Sequence, residues 1–271
     1  MKEYKAEVFD KEKNDLGEGP FYDGRFKRYS WVDISKGRLW TMIDGQKTCF
    51  ELGQPLGSAI PMPDSDGFIL AAMDGIYSYV NGKTECMLDL KPYFKPYWRC
   101  NDAKLDPRGR LFFGAYVNDD HPAEGALYCL DKGLVRILQP DTKISNGMAW
   151  SSDERCFFFS DSLEHAVFKY DYDVDTGDIT NRRVLFTAEN GITDGLCIDG
   201  DDNLWVAYWG GHRIEKRSGI DGRKLGEILL PAENVTSCAI AEGGKSLFIT
   251  TSGAGLDGEF DGCLFICDIG D

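Results

Sequence analysis

Six short stretches of the chain repeat one pattern. Each places a polar residue at the same point in it: Glu18, Ser58, Asn101, Asn146, Asp194 and Ser237. Successive members stand 40, 43, 45, 48 and 43 residues apart. After a turn rich in Asp, Gly or Pro comes an apolar strand core, at residues 29–32, 69–72, 112–115, 157–160, 205–208 and 248–251. A period in the forties with several strand-like runs per period is the signature of a propeller blade. Such repeats bury their faces only against neighbours, which favours one domain over two. The expectation is therefore an all-β chain: a single six-bladed β-propeller of four-stranded antiparallel sheets over residues 1–271.

One repeat shows how the strands are read. Ser145-Asn146-Gly147 opens it, and Ser151-Ser152-Asp153-Glu154 turns it into a buried strand at 156–159. A third strand follows at 166–170, then a turn at Asp175-Thr176-Gly177 and a fourth strand at 183–186. The last repeat, residues 235–269, lacks a fourth strand, and an orphan strand at residues 4–9 precedes the first repeat. The N-terminal strand is thus expected to complete the last blade and close the ring, which removes an aggregation-prone edge. The aromatic and Pro-rich stretch from Lys91 to Trp98 is expected to be an elaborated loop overhanging the axis.

Composition excludes some classes. A net charge of −15 lacks the Lys/Arg patches that a phosphate backbone requires. The first residues carry no apolar core of a signal peptide, and no run approaches the ~18 apolar residues that span a membrane. The nine cysteines are odd in number and form no CxxC pair, which speaks for reduced thiols in a cytoplasmic protein rather than structural zinc. Cys100, beside Asn101, is the thiol to check for reactivity.

Three motifs mislead. The run Asp171-Tyr172-Asp173-Val174-Asp175-Thr176-Gly177 starts like an EF-hand loop, but its glycine comes one place late and Arg182 stands where the bidentate Glu belongs. Gly244-Lys245-Ser246 ends like a P-loop, yet Ala239 replaces the first glycine and a strand follows. The three histidines, His121, His165 and His212, have no metal-ligand spacing, and no GxSxG motif accompanies them. His212 reads as a surface polar residue.

The chemistry lies in the repeat itself. Equivalent positions of a closed ring face one axis, so one Glu, one Asp, two Asn and two Ser are expected to converge there. Hard oxygen donors of this kind suit Ca²⁺, Mg²⁺ or Mn²⁺. Asn and Asp before Gly are also ordinary turn formers. Against that stands the recurrence of Glu18-Gly19, Asn146-Gly147 and Asp194-Gly195 at one repeat position.

Four motifs in this order resemble the regucalcin/gluconolactonase family: Leu16-Gly17-Glu18-Gly19-Pro20, the run from Arg99 through Asn101-Asp102 to Arg110, Ile144-Ser145-Asn146-Gly147-Met148-Ala149-Trp150, and Thr193-Asp194-Gly195-Leu196-Cys197-Ile198-Asp199. Residues 168–183 carry further likeness, so the resemblance covers nearly the whole chain. It implies a propeller with one divalent cation at its axis (Ca, Zn, Mg or Mn), held by Glu18, Asn146 and Asp194. It implies substrate contacts from Arg99 and Asn101, and a third from Asp119, one methylene shorter than the Glu common in the family. Asp194 is implied as the base in hydrolysis of a sugar lactone to its aldonic acid. A metal-bound hydroxide, with Asp194 only a ligand, is the alternative base. A non-catalytic Ca²⁺-binding propeller and a hydrolase of another ester or phosphoester are the alternative functions. The expected partner is a small-molecule sugar lactone, with no nucleic acid and no membrane, for a monomer or weak homodimer.

Overall fold

The computed structural model describes residues 2–118 and 120–270. The chain opens with strand β1 (Lys2–Asp10). Four antiparallel sheets follow in sequence order. The first holds β2 (Gly17–Asp23), β3 (Arg28–Asp33), β4 (Arg38–Ile43) and β5 (Gln46–Glu51). The second holds β6 (Leu56–Pro61), β7 (Phe68–Ala72), β8 (Gly75–Val80) and β9 (Lys83–Asp89). The third holds β10 (Trp98–Leu105), β11 (Leu111–Val117), β12 (Gly125–Asp131) and β13 (Leu134–Thr142). The fourth holds β14 (Ser145–Trp150), β15 (Cys156–Asp161), β16 (Ala166–Tyr172) and β17 (Ile179–Thr187). The remaining strands are β18 (Ile192–Ile198), β19 (Asn203–Trp209), β20 (Arg213–Ser218), β21 (Lys224–Leu229), β22 (Asn234–Ala241), β23 (Ser246–Ser252) and β24 (Leu264–Asp268).

This hydrogen bonding corrects the expected six-bladed arrangement of four-stranded antiparallel sheets. Four such blades stand as separate sheets, and the other strands form one continuous eight-stranded sheet, ordered β18-β19-β20-β21-β1-β24-β23-β22. The cause is β1. Its second half runs antiparallel to β24, from Ala6 opposite Cys267 to Asp10 opposite Leu264. Its first half runs parallel to β21, from Lys2 opposite Gly226 to Lys5 opposite Leu229. Gly226 permits that approach, since a Cβ there would lie 2.7 Å from the Lys2 carbonyl oxygen. The sequence shows the orphan strand but not that one strand pairs on both sides.

Burial falls from the inner strands to the outer ones. Every residue of β6 and β7 is buried, whereas β9 is exposed except at Leu88. Inner strands therefore read as unbroken runs of apolar and small residues, and outer ones carry Lys and Glu. Neighbouring sheets share aromatic cores. Phe112, Phe157, Phe159, Tyr170 and Tyr172 join the third sheet to the fourth. Trp31 and Phe248, with ring centroids 6.0 Å apart, join the first sheet to the eight-stranded one. In the stretch 91–98, Phe94 and Trp98 are buried in the core around Phe113 and Tyr128, while Lys91, Pro92, Tyr93, Lys95 and Pro96 are exposed.

One buried carboxylate ties three strands of the eight-stranded sheet, β19, β20 and β21, together. Glu215 accepts hydrogen bonds from Tyr208 (2.6 Å), Arg213 (2.8 Å) and Arg217 (2.6 Å), and its other ion-pair partner is Lys224 (3.0 Å). Burial opposes its ionisation, but these four donors outweigh it and bring the carboxyl down to about 2. A folded pKa below the unfolded one gives stability that is present above pH ~4.5 and fades as pH falls towards 2. The shift corresponds to about 3 kcal/mol. Glu215→Gln is expected to unfold at lower urea than the parent at pH 7, with the gap closing as pH is lowered below 4. A gap that stays constant from pH 7 to pH 3 would show that ionised Glu215 does not stabilise the fold.

Candidate functional site

The first strand of each sheet breaks register at or next to the repeat's polar position. In β10, β14 and β18 two residues face one on the partner strand, and Asn101, Asn146 and Asp194 are the first of the unpaired pair. In β2 the same irregularity begins directly after Glu18. A β-bulge turns its residues out of the ladder and re-aims their side chains. The bulges thus turn Asn101, Asn146 and Asp194 towards one cleft of about 370 Å³, where Glu18, at the edge of its own bulge, and Arg99 also line the wall. The glycine after Asp194 has a reason of its own: a Cβ on Gly195 would lie 2.0 Å from the Ser237 hydroxyl of the next first strand.

A hydrogen-bonded chain orders the amides. Arg99 Nη1 donates to Asn101 Oδ1 (2.6 Å) and to the Cys100 carbonyl (2.9 Å), while its guanidinium carbon lies 4.3 Å from the centre of the Tyr116 ring. Asn101 Nδ2 donates to Asn146 Oδ1 (3.1 Å) and to the Ser145 carbonyl (3.0 Å). Asn146 Nδ2 donates to Ser162 Oγ (2.8 Å), which itself donates to the Thr193 carbonyl (2.7 Å). Asn146 Oδ1 therefore keeps a lone pair beyond the one Asn101 uses. Ser162 belongs to a 3-10 turn, Ser162–Glu164, that follows β15.

The carboxyl groups sit in the opposite electrostatic state from Glu215. Burial pushes Glu18 up to about 8, with Asp102 adding to the shift and the Gly19 N–H, Arg99 and Lys104 only partly offsetting it. Burial likewise raises Asp194 well above the usual carboxylate range, and Glu18 and Asp102 push it further. Two buried, mutually repelling carboxyls beside a carboxamide oxygen form a donor set that a dication would relieve. Among the described residues no three His, Cys, Asp or Glu side chains converge to hold a metal by themselves. A cation here would draw on the Asn146 oxygen, and the donors present fit an oxygen-seeking ion.

The expected convergence of all six repeat residues is only partly met. Ser58 and Ser237 line a separate pocket of about 470 Å³ with Asp102 and Lys104. Ser58 Oγ is occupied there, donating to the Asn101 carbonyl at 3.0 Å and accepting from the Ala103 N–H at 3.1 Å. Asp119 lies outside the described residues. Cys100 is fully buried and burial raises its thiol far above the ordinary range, so it is no reactive thiolate. His212 is exposed, and His165 rather than His212 lines the cleft.

Sequence reasoning missed three features. Asp102 is a third buried carboxylate, standing second in its bulge where Glu18, Asn146 and Asp194 are each followed by glycine. Lys104 donates to the carbonyls of Met148 (2.8 Å) and Leu196 (2.7 Å), tying three sheets together. The third is the wall above the donors. Leu16, Arg99, Ile144 and Ile192 each stand two places before a cleft-lining polar residue, and all four line the cleft. Strand alternation puts such residues on one side, so this wall was readable in the repeat.

The SMP-30/Gluconolactonase/LRE-like region matches residues 16–253. Regucalcin of Danio rerio is 34% identical over 272 residues, covering 96% of this chain and 90% of that protein. The structure of a luciferin-regenerating enzyme superposes with a TM-score of 0.91 at 29% identity, over 97% of this chain and 94% of that one. A calcium-binding protein, regucalcin, from Agrobacterium tumefaciens superposes with a TM-score of 0.91 at 24% identity, over 98% and 95% of the two chains. No helix among the described residues is long and apolar enough to cross a membrane.

Proposed function

This chain belongs to the SMP-30/Gluconolactonase/LRE-like family, and we propose that it is a divalent-cation-dependent lactonase that opens a sugar lactone to the corresponding acid. The observation that carries the reading is the pair of buried, pKa-raised carboxyls, Glu18 and Asp194, beside Asn146 in a cleft that Arg99 also lines. The family's own description includes a gluconolactonase, and the Agrobacterium neighbour is described as calcium-binding.

Glu18, Asn146 and Asp194 would hold the cation. When bound, it supplies Lewis-acid polarisation of the lactone carbonyl and stabilises charge developing on that oxygen. Arg99 presents the guanidinium nitrogens not committed to Asn101 and Cys100, which suit a forked contact with substrate oxygens. Asn101 holds both Arg99 and Asn146 in place. Asp194 accepts a proton from water as the water oxygen bonds to the acyl carbon. The acyl–oxygen bond of the ring then breaks, and the departing ring oxygen takes up that proton. The product is an open hydroxy acid. A cation-binding propeller without turnover uses the same donors, and the calcium-binding neighbour favours keeping it as the second reading.

The deciding experiment measures acid release from a panel of aldonolactones, with and without a chelator. Turnover that chelator abolishes and Ca²⁺, Mg²⁺, Mn²⁺ or Zn²⁺ restores supports the lactonase. Cation binding with no lactone opened leaves the second reading.

A linked prediction concerns stability. Without a cation, the folded pKa of Glu18 lies above its ordinary value, so stability is fullest below pH ~4.5 and declines as pH rises through about 8. A cation binds the ionised carboxyls and reverses the decline. At a hundredfold excess over Kd it contributes about 2.7 kcal/mol. Thermal unfolding in chelator and in calcium is expected to diverge between pH 5 and pH 9. Parallel curves across that range would remove Glu18 from the cation site.

A further inference from the structure

We infer that the substrate carries an apolar substituent, so that the site takes an alkyl- or aryl-bearing lactone in preference to a fully hydroxylated one. The inference rests on the ring-opening step proposed above and replaces its sugar by a lactone that bears an apolar arm as the preferred substrate. The cleft keeps its charged and amide groups among Glu18, Arg99, Asn101, Asn146 and Asp194, while Leu16, Ile34, Ile144, Leu163, Ile192 and Trp209 make an apolar wall. Three of these six sit in register with the repeat, Leu16, Ile144 and Ile192 each preceding a donor by two places, and Leu163 follows Ser162, the residue that orients Asn146.

The polar groups that could serve substrate hydroxyls are few, and several are partly committed to protein partners. The Ser162 hydroxyl accepts from Asn146 and donates to Thr193. Arg99 spends Nη1 on Asn101 and Cys100 and lays one face on Tyr116. The other polar groups in the lining are the His165 imidazole, the Tyr116 hydroxyl and the Trp209 indole N–H, the last two carried on large aromatic rings. A ring with hydroxyls all round would press several of them against hydrocarbon, and a buried hydroxyl without a partner is penalised. An alkyl chain against the same wall gains from every methylene it buries.

Leu163 is presented to the cleft rather than left loose. It is 46% exposed although it lines the cleft. Its N–H is capped by Asp161 Oδ1 at 3.3 Å, and His165 closes the turn in the left-handed region, with its carbonyl accepting from the Ala188 N–H at 2.7 Å. A large apolar side chain held half-exposed at the mouth of a cleft is what a substrate's apolar arm would cover.

The test is a chain-length series: δ-valerolactone and its 5-methyl, 5-propyl and 5-pentyl derivatives, alongside D-glucono-δ-lactone, assayed on the cation-loaded protein. We expect kcat/KM to rise about fourfold per buried methylene, and the pentyl compound to exceed glucono-δ-lactone. Leu163→Asn, at a half-exposed turn position that folding tolerates, is expected to flatten the rise. Calorimetric binding of the matching 5-alkyl δ-valerolactams, which resist hydrolysis, should show the same gradient. A kcat/KM that does not change with chain length, a preference for glucono-δ-lactone, or a gradient that Leu163→Asn leaves intact overturns the inference while leaving the lactonase reading in place. Failure to open any compound in the series or any aldonolactone overturns the lactonase reading itself, and this inference with it.

Discussion

Asp194→Asn is expected to lower lactone turnover by ~10²–10⁴-fold, the usual cost of losing a positioned base, and at the same time to stabilise the chelated protein. The two effects have one cause. Asp194 is buried beside Glu18 and Asp102, and its charge is repelled by both. The amide keeps the size and one oxygen donor but removes the charge and the proton acceptor. In the cation-free protein, relief of that repulsion favours the fold, most strongly at high pH where Glu18 would otherwise have to ionise. Arg99→Ala separates from it in kind. It removes a contact outside the expected donor set, so it is expected to raise KM with cation content unchanged. Steady-state kinetics, elemental analysis and thermal unfolding in chelator check all of this on two variants. Wild-type turnover by a cation-loaded Asp194→Asn would withdraw the residue from proton transfer.

The repeat made much of this legible, because the ring uses one local device again and again. A polar residue followed by glycine marks a bulge, and the bulge is what aims Asn146 and Asp194 at the cleft. Arg99 was singled out by resemblance, yet it also stands alone on local grounds. Two places before the repeat's polar residue the chain has Leu16, Leu56, Ile144, Ile192 and Val235, and a cation only at Arg99. Other features do not follow from spacing. Ser58 and Ser237 share the repeat position but lack the two-against-one bulge of the other sheets, and in β6 and β22 a single residue is skipped. Their side chains therefore line the other pocket. Asp102 reads as an ordinary turn residue until the bulge is known to bury it. The eight-stranded sheet depends on β1 finding two partners at once, a choice made by tertiary geometry around Gly226 and not by the strand's own pattern.

Deleting residues 1–10 is expected to cost the protein most of its stability. β1 contributes little as an isolated strand, but it bridges two groups of strands that otherwise have no hydrogen bonds to each other in the sheet. Tyr4 packs edge-on against Trp205 at 5.1 Å between ring centroids. Phe9 packs against Tyr29 at 4.8 Å and Phe248 at 5.1 Å, which ties the eight-stranded sheet to the first one. Tyr4 and Phe9 are partly buried, so each contributes less than the about 3–5 kcal/mol of a fully buried aromatic, but the whole fold stands only about 5–15 kcal/mol above the unfolded chain. Removal also bares the edges of β21 and β24 at once, and two open edges invite pairing between molecules. Phe9→Ala grades the effect: it deletes the ring contacts but keeps both ladders, so a soluble protein with a lower melting temperature is expected. The truncation should instead aggregate or lose cooperative unfolding. Soluble, monomeric truncated protein with the parent's melting temperature would show that the two strand groups hold together without β1.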